Sequence, residues 1–152
     1  MSSANCLAYH LLDSGKIKVG DRVLLVFFPG LQFMISLLAC FIAGFIAVPV
    51  FPPDPRKLKK DLHHFISIQS SSGARVVLTH GLYNFAKKVT DIGNMFSNSA
   101  VTWPELQWIS VDDVIVRGKN AVVEERPSTI KSGDVAFLQY TSGSTSEVGF
   151  SL

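Results

Sequence analysis

Val23-Leu24-Leu25-Val26-Phe27-Phe28-Pro29-Gly30, followed by Leu31 to Ala43, then Gly44 and Phe45-Ile46-Ala47-Val48-Pro49-Val50-Phe51-Pro52-Pro53, decides the fold. No residue from 23 to 53 is charged or is His. Such a run fits either a membrane span, which needs about 20 apolar residues, or a βαβ unit buried on several sides. Punctuation favours the second. Pro29-Gly30 breaks the run after a segment of strand length and strand composition. Gly44 breaks it again before Ile46 to Phe51, a second β-like run that ends in Pro52-Pro53. Leu31 to Ala43 between them has helix length. Its stripe of small or polar residues, Gln32, Ser36, Cys40 and Ala43, suits a helix packed on a sheet. A span through Leu31 to Val48 is the competing reading. The first Lys is Lys16, so the basic start of a secretory signal is missing and a cytoplasmic location is expected.

The same alternation continues outward. Ala4, Leu7, Ala8, Leu11 and Leu12 recur at helical spacing and Gly15 supplies a stop. Lys16 to Asp21 reads as a turn. Asp54-Pro55 reads as an N-cap and first helical residue, opening a helix with Leu58, Leu62, Phe65 and Ile66 on one face. Ser70-Ser71-Ser72-Gly73 reads as the turn that ends it. Arg75 to Thr79 is a short strand. Leu82, Phe85, Ala86, Val89 and Ile92 mark a further helix. Gln107 to Val111 is a strand closed by Asp112-Asp113. Gly118 to Ser132 is a polar connector, and Val135 to Tyr140 is a last strand. Strands alternating with helices imply an α/β fold with a Rossmann-like, mostly parallel sheet and helices on its faces.

Composition narrows the function classes. The chain has 152 residues, room for one domain, with a formal net charge of +2 that calls for no nucleic-acid partner. Apolar residues make up 47% and charged residues 17%, which excludes wholesale disorder. Cys6 and Cys40 lie far apart, and no CxxC or HxxxH spacing offers a metal site, so both read as buried free thiols. His63 and His64 diverge by about 100° on a helix and cannot chelate together. Arg56, Lys57, Lys59 and Lys60 read as a solvated basic face. Trp103 and Trp108 read as packing residues.

One segment carries chemistry. Thr141-Ser142-Gly143-Ser144-Thr145-Ser146 follows the last strand and holds five hydroxyl residues and one glycine. A strand opening into such a run can expose backbone N–H groups around a concavity, and Gly143 permits close approach. Hydroxyls can donate to phosphate oxygens. No GxxxxGK[ST] is present, so this is not a Walker A loop. A plain turn or linker is the competing reading.

Gln139-Tyr140-Thr141-Ser142-Gly143-Ser144-Thr145 resembles the phosphate-binding signature of the adenylate-forming superfamily, roughly [YF]-T-S-G-[ST]-T-G-x-P-K-G. Lys18-Val19-Gly20-Asp21-Arg22-Val23 is similar to its GDRV passage, and Ala43 to Val50 to its AGxIAVPV passage. Phe51-Pro52-Pro53-Asp54-Pro55 and Phe137-Leu138-Gln139-Tyr140 point more narrowly to the fatty acyl-AMP ligase branch, so the chain is closest in look to fatty acyl-AMP ligases and acyl-CoA synthetases. The resemblance implies an incomplete piece of the large N-terminal domain of such an enzyme: a partial adenylation domain over residues 1–147 and a non-family tail over 148–152. It implies ATP and Mg²⁺, with Thr141, Ser142, Gly143, Ser144 and Thr145 cradling the phosphates; no catalytic residue is implied within this chain. The parent would activate a long-chain carboxylic acid as its acyl-adenylate, with or without transfer to a thiol. After Thr145 the family's Gly-x-Pro-Lys-Gly is replaced by Ser146-Glu147-Val148-Gly149-Phe150, which removes a cation beside the triphosphate. A retained intron or a truncated gene copy is the expected origin of that break. An inactive fragment is therefore expected. Its alternatives are a nucleotide-binding or protein-interaction module, associating through exposed apolar surface, and a membrane-attached protein.

Overall fold

The computed structural model describes residues 3–54, 58–84, 103–118, 130–141 and 150–151. Helix α1 spans Ser3–Asp13, strand β1 Arg22–Val26, helix α2 Leu31–Ala43 and strand β2 Ile46–Val50. Helix α3 spans Leu58–Ser72, strand β3 Val76–Thr79, strand β4 Gln107–Ser110 and helix α4 Asp112–Gly118. Two short strands, β5 over Gln139–Tyr140 and β6 over Phe150–Ser151, pair antiparallel. Strands β1 to β4 form a parallel sheet in the order β2-β1-β3-β4. The α/β reading with a parallel sheet is what the chain adopts.

Strand periodicity splits the core in two. Val23, Leu25, Ala47, Val76 and Leu78 face one side, packed with residues of α1, α2 and α4. Leu24, Val26, Val48, Val50 and Val77 face the other, against Leu62, Phe65 and Ile68 of α3. Both faces are covered, which is why the central positions of β1, β2 and β3 are apolar.

Helix α2 buries its small residues. Ser36, Ala39, Cys40 and Ala43 are buried, whereas Leu31 and Met34 are exposed, and so is Gln32, which departs from the stripe expected for it. Small side chains let α2 lie close to α1 and the sheet. Gly44 ends the helix at φ 72°, with Phe45 N–H on Cys40 O at 2.9 Å and Gly44 N–H on Phe41 O at 3.3 Å. These two bonds make a Schellman motif, and buried Phe45 supplies its apolar contact. With 13 residues α2 is too short to span a bilayer, and no helix among the described residues is long and apolar enough to cross a membrane.

Further expectations change. The last strand, expected over Val135 to Tyr140, is reduced to β5 over Gln139–Tyr140 and an isolated bridge at Phe137. The first strand stops at Val26 instead of Phe28, because the chain leaves the sheet ahead of Pro29. Ser70-Ser71-Ser72 is the last turn of α3 and not a separate turn; Ser72 Oγ donates to Gln69 O and accepts from Ala74 N–H, while Gly73 takes φ 66°. Asp112–Gly118 is a helix, begun by Asp112 and Asp113 in its first turn, where only a strand stop was expected. The further helix begins at residues 81–84, but Leu82 is 76% exposed and Tyr83 is its buried residue. Phe85, Ala86, Val89 and Ile92, together with Pro55, Arg56 and Lys57, lie outside the described residues. His63 and His64 are exposed.

Both cysteines are free, Cys40 fully buried and Cys6 partly. Burial pushes the Cys40 thiol up to about 12 from an ordinary 9.0. The unfolded chain releases this proton near pH 9 and the folded chain holds it. The group's contribution to stability is therefore whole below pH 9 and is lost as pH rises towards 12. Between pH 9 and 10 the loss from this group is about 1 kcal/mol. Urea melts at pH 8, 9 and 10 should show that fall, and Cys40→Ala should reduce it; an unchanged slope in the variant would contradict the assignment.

Candidate functional site

The carboxyl ends of the strands gather the polar and aromatic groups that packing leaves unused. In open α/β sheets this is the end at which ligands bind. Thr79 Oγ1, buried at the end of β3, donates to Val26 O of β1 at 2.7 Å and ties the two exits together. His80 follows directly. Its Nδ1 accepts the Tyr83 N–H at 3.1 Å, so in this arrangement the imidazole carries its proton on Nε2. Gly81 N–H donates to Asp112 Oδ2, which joins the exits of β3 and β4. A Cβ on Gly81 would lie 3.0 Å from that same oxygen, so glycine permits the approach.

Tyr83 closes the arrangement on the α3 side. Its hydroxyl donates to Pro53 O at 2.8 Å and holds the chain that leaves β2. The phenol's pKa is raised, first by burial and then by the negative carboxylates of Asp54 and Asp61. It remains a neutral donor at physiological pH. Rings continue from there: Phe28 meets Phe51 edge to face at 5.7 Å, and His80 lies 6.3 Å from Phe28 and from Tyr83. Phe28 is 50% and Phe51 73% exposed, leaving an apolar wall open at this end. Beneath it lies a cavity of about 200 Å³ lined by Phe27, Pro29, Phe33, Pro49, Val50 and Phe51.

Thr141, the first residue of the hydroxyl-rich run, reaches the same end by a route not visible in its sequence. Ala47 N–H donates to Ala136 O at 3.1 Å, and Leu138 N–H donates to Ala47 O at 2.8 Å. Ala47 and Phe137 thereby form a parallel bridge at the free edge of β2. Residues 136–138 run alongside β2 in its own direction, so Tyr140 and Thr141 emerge where β2 emerges. Thr141 is described and exposed; Ser142, Gly143, Ser144 and Thr145 lie outside the described residues. Among the described residues no group of three His, Cys, Asp or Glu side chains could hold a metal ion. No Mg²⁺ ligand is therefore assigned to them.

Spacing did not single out His80, Tyr83 and Asp112. The sequence signal for His80 was only its place after a strand and before Gly81. Trp103 and Trp108 are packing residues, as expected: Trp108 lies 6.1 Å from Phe65 at 16°, and Trp103 is edge-on to Phe65 at 5.3 Å.

Comparison with known proteins agrees with this architecture. The sequence model of the AMP-binding enzyme family matches residues 1–147. The medium-chain fatty acid–[acyl-carrier-protein] ligase JamA of Moorena producens is 34% identical, across 93% of this chain and 24% of JamA. Disco-interacting protein 2 homolog B-A of Danio rerio is 30% identical, across 98% of this chain and 9% of that protein. The fatty acyl-adenylate ligase of L. pneumophila, solved with acyl adenylate and pyrophosphate, superposes with a TM-score of 0.70 at 31% identity. That match covers 97% of this chain and 23% of the ligase. The chain thus spans about a quarter or less of the length of these relatives. With the family match running over residues 1–147 and a parallel α/β sheet in place, this chain belongs to the AMP-binding enzyme family.

Proposed function

We propose that this chain is the phosphate-cradling part of an AMP-forming ligase whose full form activates a long-chain fatty acid. The observation that carries the reading is the parallel docking of residues 136–138 on β2, which leads Thr141 to the carboxyl end of the sheet. From there Thr141, Ser142, Gly143, Ser144 and Thr145 would offer N–H and O–H donors to the phosphates of ATP. In the full reaction a fatty carboxylate oxygen attacks the α-phosphorus. The bond from that phosphorus to the bridging oxygen breaks, and acyl-adenylate and pyrophosphate result. Donors aimed at the leaving pyrophosphate stabilise the charge that develops on it. The exposed faces of Phe28 and Phe51 at the same end suit an apolar acyl chain.

Alone, this chain binds ATP without turning it over in this reading, since Ser146-Glu147-Val148-Gly149-Phe150 stand where the family carries Gly-x-Pro-Lys-Gly and a cation beside the triphosphate is lost. Equilibrium dialysis should find ATP bound, and Ser142→Ala with Thr145→Ala should weaken it about tenfold. The pure chain should show no pyrophosphate exchange with octanoate or palmitate. Fatty-acid-dependent exchange would overturn the inactive reading, and ATP affinity indifferent to both substitutions would overturn the cradle.

A further inference from the structure

The opposite end of the sheet holds a second hollow of different character. Its volume is about 520 Å³, and Lys16, Lys18, Arg22 and Arg75 line it, with Asp21 the sole carboxylate among the lining residues. The four cations come from three separate stretches: the turn after α1, the start of β1 and the residue before β3. Val23 pairs with Val76, so Arg22 and Arg75, one residue earlier in each strand, stand directly opposite each other. By alternation they project to the same face of the sheet, the one α3 covers. Like charges placed opposite each other across a strand pair are unfavourable on their own.

Ordinary packing explains only one of the four. Arg22 Nε–H donates to Ser72 O at the carboxyl end of α3, at 3.0 Å, which fixes the guanidinium and satisfies that carbonyl. Among the described residues the side chains of Lys16, Lys18 and Arg75 form no hydrogen bond or ion pair. Asp21 Oδ2 accepts the Lys18 backbone N–H at 2.8 Å and offsets one charge of the four. Among the described residues, a net charge of three then lines a concavity of small-molecule size. Two guanidinium forks beside ammonium groups match the oxygens of a phosphate group. The β1 and β3 strands separate this hollow from the carboxyl-end site by about 15 Å.

We propose that this hollow is a binding site for a small phosphate-bearing anion, distinct from the carboxyl-end site and independent of the function assigned there. The test is calorimetric titration of the whole chain with inorganic pyrophosphate at low salt. It is carried out in the Ser142→Ala/Thr145→Ala background so that the hydroxyl-rich segment does not contribute. One saturable site is expected, weakening steeply as KCl is added. Arg75→Gln should raise Kd at least tenfold, since exposed Arg75 makes no side-chain bond among the described residues. Lys16→Gln with Lys18→Gln should weaken binding as well.

Melting provides a readout that a purely structural role for Arg75 does not reproduce. Without anion, Arg75→Gln should melt about 1–3 °C above its parent, because a like-charge contact is gone. With pyrophosphate, the parent should rise in Tm and the variant should not. Parallel titration with ATP tells a nucleotide's phosphates from free diphosphate; saturation by either supports the site. No saturable binding up to about 10 mM, which is weaker than about 3 kcal/mol, or binding that Arg75→Gln leaves intact, overturns it.

Discussion

Phe65→Ala is expected to cost about 3–5 kcal/mol of unfolding free energy. Phe65 is 1% exposed and is the ring around which the α3 side of the core is organised. Trp103 meets it edge-on at 5.3 Å and Trp108 stacks on it at 6.1 Å. Trp108 in turn stacks on Tyr83 at 6.3 Å, and Tyr83 holds Pro53 O. Truncation removes the transfer energy of a phenyl ring and leaves a void, because the indoles belong to β4 and to the segment before it and cannot both follow. Total stabilities of domains are about 5–15 kcal/mol, so the variant should be largely lost to unfolding at 37 °C. Urea melts followed by indole fluorescence report on the two rings that border the void. Phe65→Leu, which keeps most of the volume, should cost less than half as much. Equal melting of the alanine variant and the parent would show that α3 is not part of the core.

Gly44→Val is expected to cost about 2–4 kcal/mol. Gly44 sits at φ 72°, where a β-branched side chain is a steric outlier. A Cβ there would lie 3.0 Å from Val19 Cγ1 and 3.4 Å from Ile130 Cγ1, before any γ carbon is added. Gly44 also accepts Gly20 N–H at 2.7 Å through its carbonyl, so a shift to relieve the clash would disturb the approach to β1. Gly44→Asn, which tolerates the left-handed region better, should lie between parent and Val variant. A melting curve for Gly44→Val superimposable on the parent would remove the Schellman motif from the account of α2.

Much of this structure was readable in advance because its punctuation is local. Pro29-Gly30 and Gly44 bracket a segment that becomes helix over Leu31–Ala43, the span expected from them. Glycine at positive φ and proline without an N–H act within one turn of chain, so they need no tertiary information. The misreadings share the opposite cause. Ser70-Ser71-Ser72 carries turn composition, yet it stays helical because Ser72 Oγ and Arg22 satisfy the carbonyls at the end of α3. That Arg22 bond bridges residues 50 apart in sequence. Helix α4 is not legible in the sequence because seven residues give too little periodicity, and its support comes from packing against α1.

The sequence alone determined the β1-α2-β2 succession, the burial of both sheet faces and the family likeness carried by residues 139–145. Those features depend on side-chain chemistry at spacings of a few residues. Tertiary structure decided the strand order, the seating of residues 136–138 beside β2, and the meeting of Arg22 with Arg75. Each of these is a contact between distant segments, fixed by which backbone edges and faces remain unpaired once the core has closed.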